Sequence, residues 1–242
     1  MISVVLNVYK RPHTLEKQIE AIKNQSIPVK PENIHIWYNR SDVEQKQPID
    51  GSIKTYVCNW NTKFFGRFTL PLLINTPYIA MFDDDVYPQR DWFKNCLDSM
   101  EKQEGLYGGS GVVLHQKAYR PHHKFGWNGP NENIERVDLV GHAWFFKQDW
   151  IKYMWYEKPF SWENGEDIMF SYLIQKYGGI NTFVPPHPHN NMNLWCSTPQ
   201  FAMEHGNDNV ASFKQNPHYG ERNLVCSKAI DGGWKSVRNI QK

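Results

Sequence analysis

Tyr78-Ile79-Ala80-Met81-Phe82-Asp83-Asp84-Asp85-Val86 decides how this chain reads. Five apolar residues, too few for a helix, run straight into three carboxylates. Such a run is expected to be a fully buried strand. In an open α/β sheet, ligands bind beyond the carboxyl ends of the strands. Three acids there concentrate negative charge that a divalent cation would neutralise. Carboxylate oxygens suit Mg²⁺ or Mn²⁺, ions that bridge protein carboxylates and phosphates. The plainer alternative is a solvated acidic turn leading to a helix near Asp91, but an apolar strand ending in three acids is a poor way to build a plain turn.

Upstream of this stretch, strands and helices alternate. Ile2–Val8 is β-branched and apolar and reads as a buried strand. Pro12 suits a first helical turn, and Leu15, Ile19 and Ile22 then form one apolar helix face. Ile34–Tyr38 and Lys54–Cys58 read as further strands. Downstream, Phe93, Cys96, Leu97 and Met100 mark an amphipathic helix, Leu106–Leu114 and Val137–Phe146 are strand-like, and a helix runs from about Asn164 to the Gly178-Gly179 stop. From Thr182 to about Asn193 the chain is rich in Pro, His and Asn, as expected of a flexible loop over a site. The alternation predicts an α/β domain around a mostly parallel sheet. We expect one domain over 1–242, with 1–105 handling one ligand and 106–242 another.

Composition narrows the function classes. The chain has 242 residues, 40% of them hydrophobic, enough for a sizeable core. With Lys plus Arg at 27 and Asp plus Glu at 25, the net charge of +2 supplies no basic stripe, so nucleic-acid binding is not expected. No apolar stretch approaches the ~20 residues of a spanning helix, and no signal-peptide pattern opens the chain. Cys58, Cys96, Cys196 and Cys226 lie far apart without a CxxC pair, pointing to a reducing, cytoplasmic setting. The 10 Trp, 12 Tyr and 13 Phe fill a core or offer stacking faces to a sugar or a base.

Other residues could join the aspartates. In Asn164-Gly165-Glu166-Asp167-Ile168, two carboxylates open a helix. They complement its positive end, or one of them faces the cleft as a general base. Arg67, among Phe64, Phe65 and Phe68, could pair with the acids or with a phosphate, and Arg11, after the first strand, could stand near a nucleotide base or phosphate. Arg222 could steady a diphosphate leaving group. His187 and His189 share a face of an extended chain, so one imidazole could reach a metal; His122, His123 and His205 say less.

Together these stretches resemble the GT-A glycosyltransferases, which use nucleotide-sugar donors. Ser3–Pro12 is similar to the opening strand and turn that hold the nucleotide, Asp83-Asp84-Asp85 to the metal-binding Asp-x-Asp motif, and Glu166-Asp167 to the acidic pair beside the acceptor. A narrower resemblance is to the exostosin-type domains. It rests on Asn61–Phe68, Ile74-Asn75-Thr76, Phe82–Val86, Leu139–Phe146 and Asn164–Ile168, with Gly165 where that family has Cys. Arg222 and Cys226 resemble its closing Arg-x-x-Cys with one residue more between them. Family 2-like transferases share the first half and the Glu-Asp pair.

The resemblance implies a Rossmann-like GT-A fold with a smaller acceptor-side sheet. It implies that Asp85 and Asp83, with His189 as the candidate imidazole, hold Mn²⁺ or Mg²⁺ against the nucleotide diphosphate. Asn7, Tyr9, Arg11, Asn39 and Asn59 would line the nucleotide pocket, with Asp84 at the ribose or donor sugar and Arg67 at the sugar or its phosphates. His142, Trp144, Trp162 and Asn164 would meet the acceptor, a glycan or glycoconjugate hydroxyl. Asp167 would be the base of an inverting enzyme, or would sit with Glu166 beside both sugars in the retaining exostosin type, where Arg222 assists the diphosphate. UDP-sugar is the default donor by analogy.

Three alternatives stand beside this reading. A non-catalytic carbohydrate- or nucleotide-binding protein would not need acids at both places. A nucleotidyltransferase would want glycine in the turn Tyr9-Lys10-Arg11-Pro12, which has none. A phosphatase of the haloacid-dehalogenase type wants Thr or Val where Tyr87 stands, and its acids follow the first strand of the sheet.

Overall fold

A computed structural model describes residues 1–43, 50–215 and 217–240. The chain is an α/β protein with a mixed sheet flanked by helices, compatible with a Rossmann-like arrangement. Nine strands form the sheet: β1 (Ile2–Val8), β2 (Ile34–Tyr38), β3 (Lys54–Val57), β4 (Tyr78–Phe82), β5 (Leu106–Leu114), β6 (His122–Gly126), β7 (Glu135–Val137), β8 (Leu139–Lys147) and β9 (Thr182–Val184). Their order is β3-β2-β1-β4-β8-β5-β9-β7, with β6 on β5. The helices are α1 (Leu15–Lys23), α2 (Trp92–Lys102), α3 (Glu166–Gly178), α4 (Pro199–Gly206) and α5 (His218–Asp231). No helix among the described residues is long and apolar enough to cross a membrane.

The first half forms as its sequence dictates. β3, β2, β1 and β4 are mutually parallel, and β1 and β4 are buried nearly throughout, as strands covered on both faces must be. Because β2 and β4 flank β1, the strand order reverses there, and the general rule for open α/β sheets puts a ligand beyond the carboxyl ends of β1 and β4. The turn after β1 is set by Thr14, whose N–H and Oγ1 both donate to the Arg11 carbonyl, at 3.1 and 2.8 Å.

The second half departs from expectation in three places. It was expected to carry a smaller sheet of its own. Instead β8 lies antiparallel between β4 and β5, pairing Phe82 with Ala143 and Tyr107 with Phe145, so the described strands make one sheet. The expected strand Val137–Phe146 breaks at Asp138, where the chain leaves β9 and joins β4 and β5. The Asp138 carboxylate accepts from Leu114 N at 2.7 Å and Val237 N at 2.6 Å, which fixes that corner. The loop expected to lie free after β9 is pinned: the wholly buried His187 forms a β-bridge with Asn131, and its Nδ1 donates to the Pro185 carbonyl at 2.8 Å.

Candidate active site

The site grows from the turn after β4. Gln18 on α1 donates through Nε2 to the carbonyls of Asp83, at 2.6 Å, and Val86, at 2.8 Å. Asp83 N donates to the His142 carbonyl on β8 at 2.9 Å. The three carboxylates are thereby fixed beyond the carboxyl end of β4.

Two buried arginines divide them. Arg11 crosses from β1 and donates through Nη1 to Asp84 at 2.6 Å and to Asp85 at 3.3 Å. Its Nε and Nη2 hold Asp208 bidentately, at 2.8 and 2.7 Å. Arg67 donates to Asp83 through Nη1 and to Glu166 through Nη2, the latter at 3.3 Å. One guanidinium thus joins the β4 turn to the start of α3. Beneath it lies Trp144, with its ring centroid 4.7 Å from the guanidinium carbon.

α3 opens where its sequence requires. Gly165, with φ +90°, turns the chain into the helix, and Gly179, with φ +67°, ends it. Asp167 accepts from Arg222 Nη1 and Nη2 at 3.0 and 2.6 Å and from Ile168 N at 2.8 Å. Asn164 accepts from the same guanidinium at 3.1 Å. The Arg222 guanidinium carbon stands 4.1 Å from the Tyr119 ring centroid.

Burial and crowding shape the electrostatics. Burial, then the Asp85 charge, pushes Asp84 above the usual carboxylate range, and Arg11 opposes that shift. Burial, then Asp83, raises Asp85. Burial, then Asp167, raises Glu166. Asp208 moves the other way, down to about 2, because Arg11 hydrogen-bonds its ionised form.

Asp83, Asp85 and His142 each offer one ligand atom, all within 4.8 Å of one another. Ligands about 2.1 Å from a shared ion stand at most about 4.2 Å apart, so small side-chain rotations would close the set on a divalent cation. His142 occupies this place with a left-handed backbone, φ +63°, and its ring stacks on Trp127 at 5.5 Å.

These positions bear on several expected roles. His189 is exposed and lies outside the carboxylate cluster; the imidazole there is His142, which was expected at the acceptor. Trp144 is 1% exposed and supports Arg67, so it has no free face for an acceptor. Trp162 is 46% exposed, with an edge-on contact to Phe65, and keeps such a face. Asn39 was expected to line a nucleotide pocket, but its amide is spent on Asn61, Thr62 and Lys63 and shapes that loop. Arg67 pairs with the acids, one of the two readings its sequence offered, and Arg11, expected near a nucleotide base or phosphate, also clamps acids. Arg222 is engaged by Asp167 and Asn164.

Of the remaining residues, Asn7 is half-buried near the end of β1, Tyr9 follows it with its hydroxyl accepting from Asn61 at 3.1 Å, and Asn59 is exposed. The side chain of His205 lies outside the described residues. Sequence reasoning missed Asp208, for which no local motif exists, and Gln18, whose place on the buried face of α1 was the available signal. No family model matches the chain, and no curated protein matches it in sequence.

Proposed function

We propose that the protein is a metal-dependent glycosyltransferase of the GT-A kind, moving a sugar from a nucleotide-diphosphate sugar to an acceptor hydroxyl. The observation that carries this reading is Arg67. Its one guanidinium holds both Asp83, at the donor end, and Glu166, which opens the helix at the acceptor end. A protein that only bound a nucleotide would need no second acidic pair so close.

In this reading Asp85, Asp83 and His142 hold the cation, and the imidazole in the set favours Mn²⁺ over Mg²⁺, which prefers oxygen ligands alone. When bound, the cation supplies positive charge that neutralises the departing diphosphate. Asn7 and Tyr9 face the nucleotide at the carboxyl end of β1. Arg11 keeps Asp84 in place and limits the repulsion among the three acids. Arg222 holds Asp167 through both oxygens, so Asp167 acts as a fixed negative charge beside the donor and acceptor sugars. Both of its oxygens are engaged by Arg222, which places it poorly as the base of an inverting enzyme and favours retention over inversion. Trp162 offers an aromatic face to a sugar ring.

Calorimetric titration of UDP with and without Mn²⁺, on the wild type and Asp85→Asn, tests the proposal. Metal-dependent binding that Asp85→Asn abolishes, with slow hydrolysis of one UDP-sugar, is the expected result. If UDP, GDP and dTDP all fail to bind in the presence of metal, the transferase reading is wrong.

A further inference from the structure

The end of the cleft beyond Asp167 carries charge for which the proposed reaction has no use. Lys124 stands on β6, opposite Val112 of β5, with its ammonium 5.6 Å from the centroid of Trp127, the ring stacked on His142. Arg120 lies just before β6. Its guanidinium carbon is 3.8 Å from the Tyr219 ring centroid, and its Nη2 donates to the Tyr219 hydroxyl at 2.5 Å. Among the described residues neither cation has a carboxylate partner.

The neighbourhood makes this costly. The Lys124 ammonium is disfavoured by burial, and after burial by Arg120 and Arg222. His122 is held neutral by burial and by the charges of Lys124, Arg120 and Arg222, opposed by its bond to the Tyr119 carbonyl. The acids that reach this end, Asp83 and Asp167, are already bound by Arg67 and Arg222. Two donors here, Arg222 Nε and Trp127 Nε1, are buried and meet no acceptor among the described residues. Cations that crowd one another beside unmet donors are relieved by an oxyanion, which accepts short charge-assisted hydrogen bonds from several of them at once.

We propose that Lys124 and Arg120 form an anion subsite that takes an oxyanion carried by the acceptor, with the acceptor's sugar ring against the Trp127–His142 stack. This rests on the transferase reading only in naming the ligand an acceptor; the binding preference is a property of the cluster itself. The oxyanion is a sugar carboxylate, a sulfate ester or a phosphate ester, and the probes below tell these apart.

Binding of methyl glucoside, methyl glucuronide, glucose 6-sulfate and glucose 6-phosphate to the full chain is followed by tryptophan fluorescence and calorimetry. At least one charged probe binds about tenfold or more tightly than methyl glucoside, a preference that shrinks as salt screens the charges. Lys124→Gln and Arg120→Gln each bring that probe toward the neutral sugar's affinity, while Lys124→Arg keeps the preference. Arg120 is exposed, so its variant keeps the test available if Lys124→Gln does not fold. Equal affinity for charged and neutral probes, no binding of any charged probe, or a preference untouched in both variants overturns the subsite. A parallel titration with UDP and Mn²⁺ separates the two readings. Nucleotide binding without charge preference refutes the subsite alone, and charge preference without nucleotide binding refutes the transferase alone.

Discussion

Arg67 and His187 set two single-residue tests. Arg67 is 2% exposed and is the common partner of Asp83 and Glu166. Arg67→Met should cost about 3 kcal/mol, because two acids lose their counter-charge at once; urea unfolding at neutral pH measures it. His187 is neutral by construction. Its Nδ1–H donates to Pro185 and its Nε2 accepts from Cys196 N at 3.3 Å, so a second proton would break a backbone hydrogen bond inside the protein. Burial lowers its pKa to about 4 from 6.5. The unfolded chain therefore binds a proton that the native one refuses, and stability present above pH 6.5 falls as pH drops toward 4. The loss attributable to this residue is about 3 kcal/mol. His187→Gln should start less stable at pH 7.5 and lack that part of the acid slope; a wild-type slope in the variant would remove His187 as its source. At this scale Asp83–Asp85 and Glu166-Asp167 were legible, because each sits at a strand end or helix start that local pattern reveals. The use made of Arg11 was not. Its bidentate partner Asp208 is 197 positions away, and only the folded chain brings them together.

Among the elements, α3 bears the site most directly, and its two bounding glycines differ in what surrounds them. A Cβ on Gly165 would meet the Val225 side chain at 3.0 to 3.2 Å in a left-handed backbone, whereas a Cβ on Gly179 would meet nothing within 4 Å. Gly179→Ala should therefore cost about 1 kcal/mol, the backbone penalty alone. Gly165→Ala should cost clearly more, since its Cβ would also press on Val225 and shift the turn that aims Glu166 and Asp167. Equal unfolding midpoints for the two variants would contradict this. Buried strands were readable to the residue, as with the mostly apolar Ile2–Val8 and Tyr78–Phe82 and the Gly-rich Leu106–Leu114. β6 and α5 were not. His122–Gly126 has no apolar alternation, and α5 buries only Arg222, Val225, Cys226, Ala229 and Ile230 in an otherwise polar sequence. What makes each an element is the partner it packs on: β5 for one, α3 for the other.

Across the whole molecule, β8 decides how the halves relate. It pairs with β4 on one side and β5 on the other, and it carries His142 and Trp144 between Asp83–Asp85 and α3. With no sheet boundary among the described strands, the halves should unfold together. Tryptophan fluorescence and far-UV circular dichroism should give coincident urea transitions, and two separated transitions would show instead that 1–105 and 106–242 are independent units. The same strand also sets a delay during synthesis. The edge of β4 is complete at Phe82 but has no neighbour on that side until Ala143 and its successors leave the ribosome. At roughly 5–20 residues added per second, that wait lasts on the order of 3–12 s. Through it, an apolar strand edge ending in three acids stands open to any passing chain, and the mutual repulsion of those acids is the nascent protein's own guard against pairing with a second copy of itself.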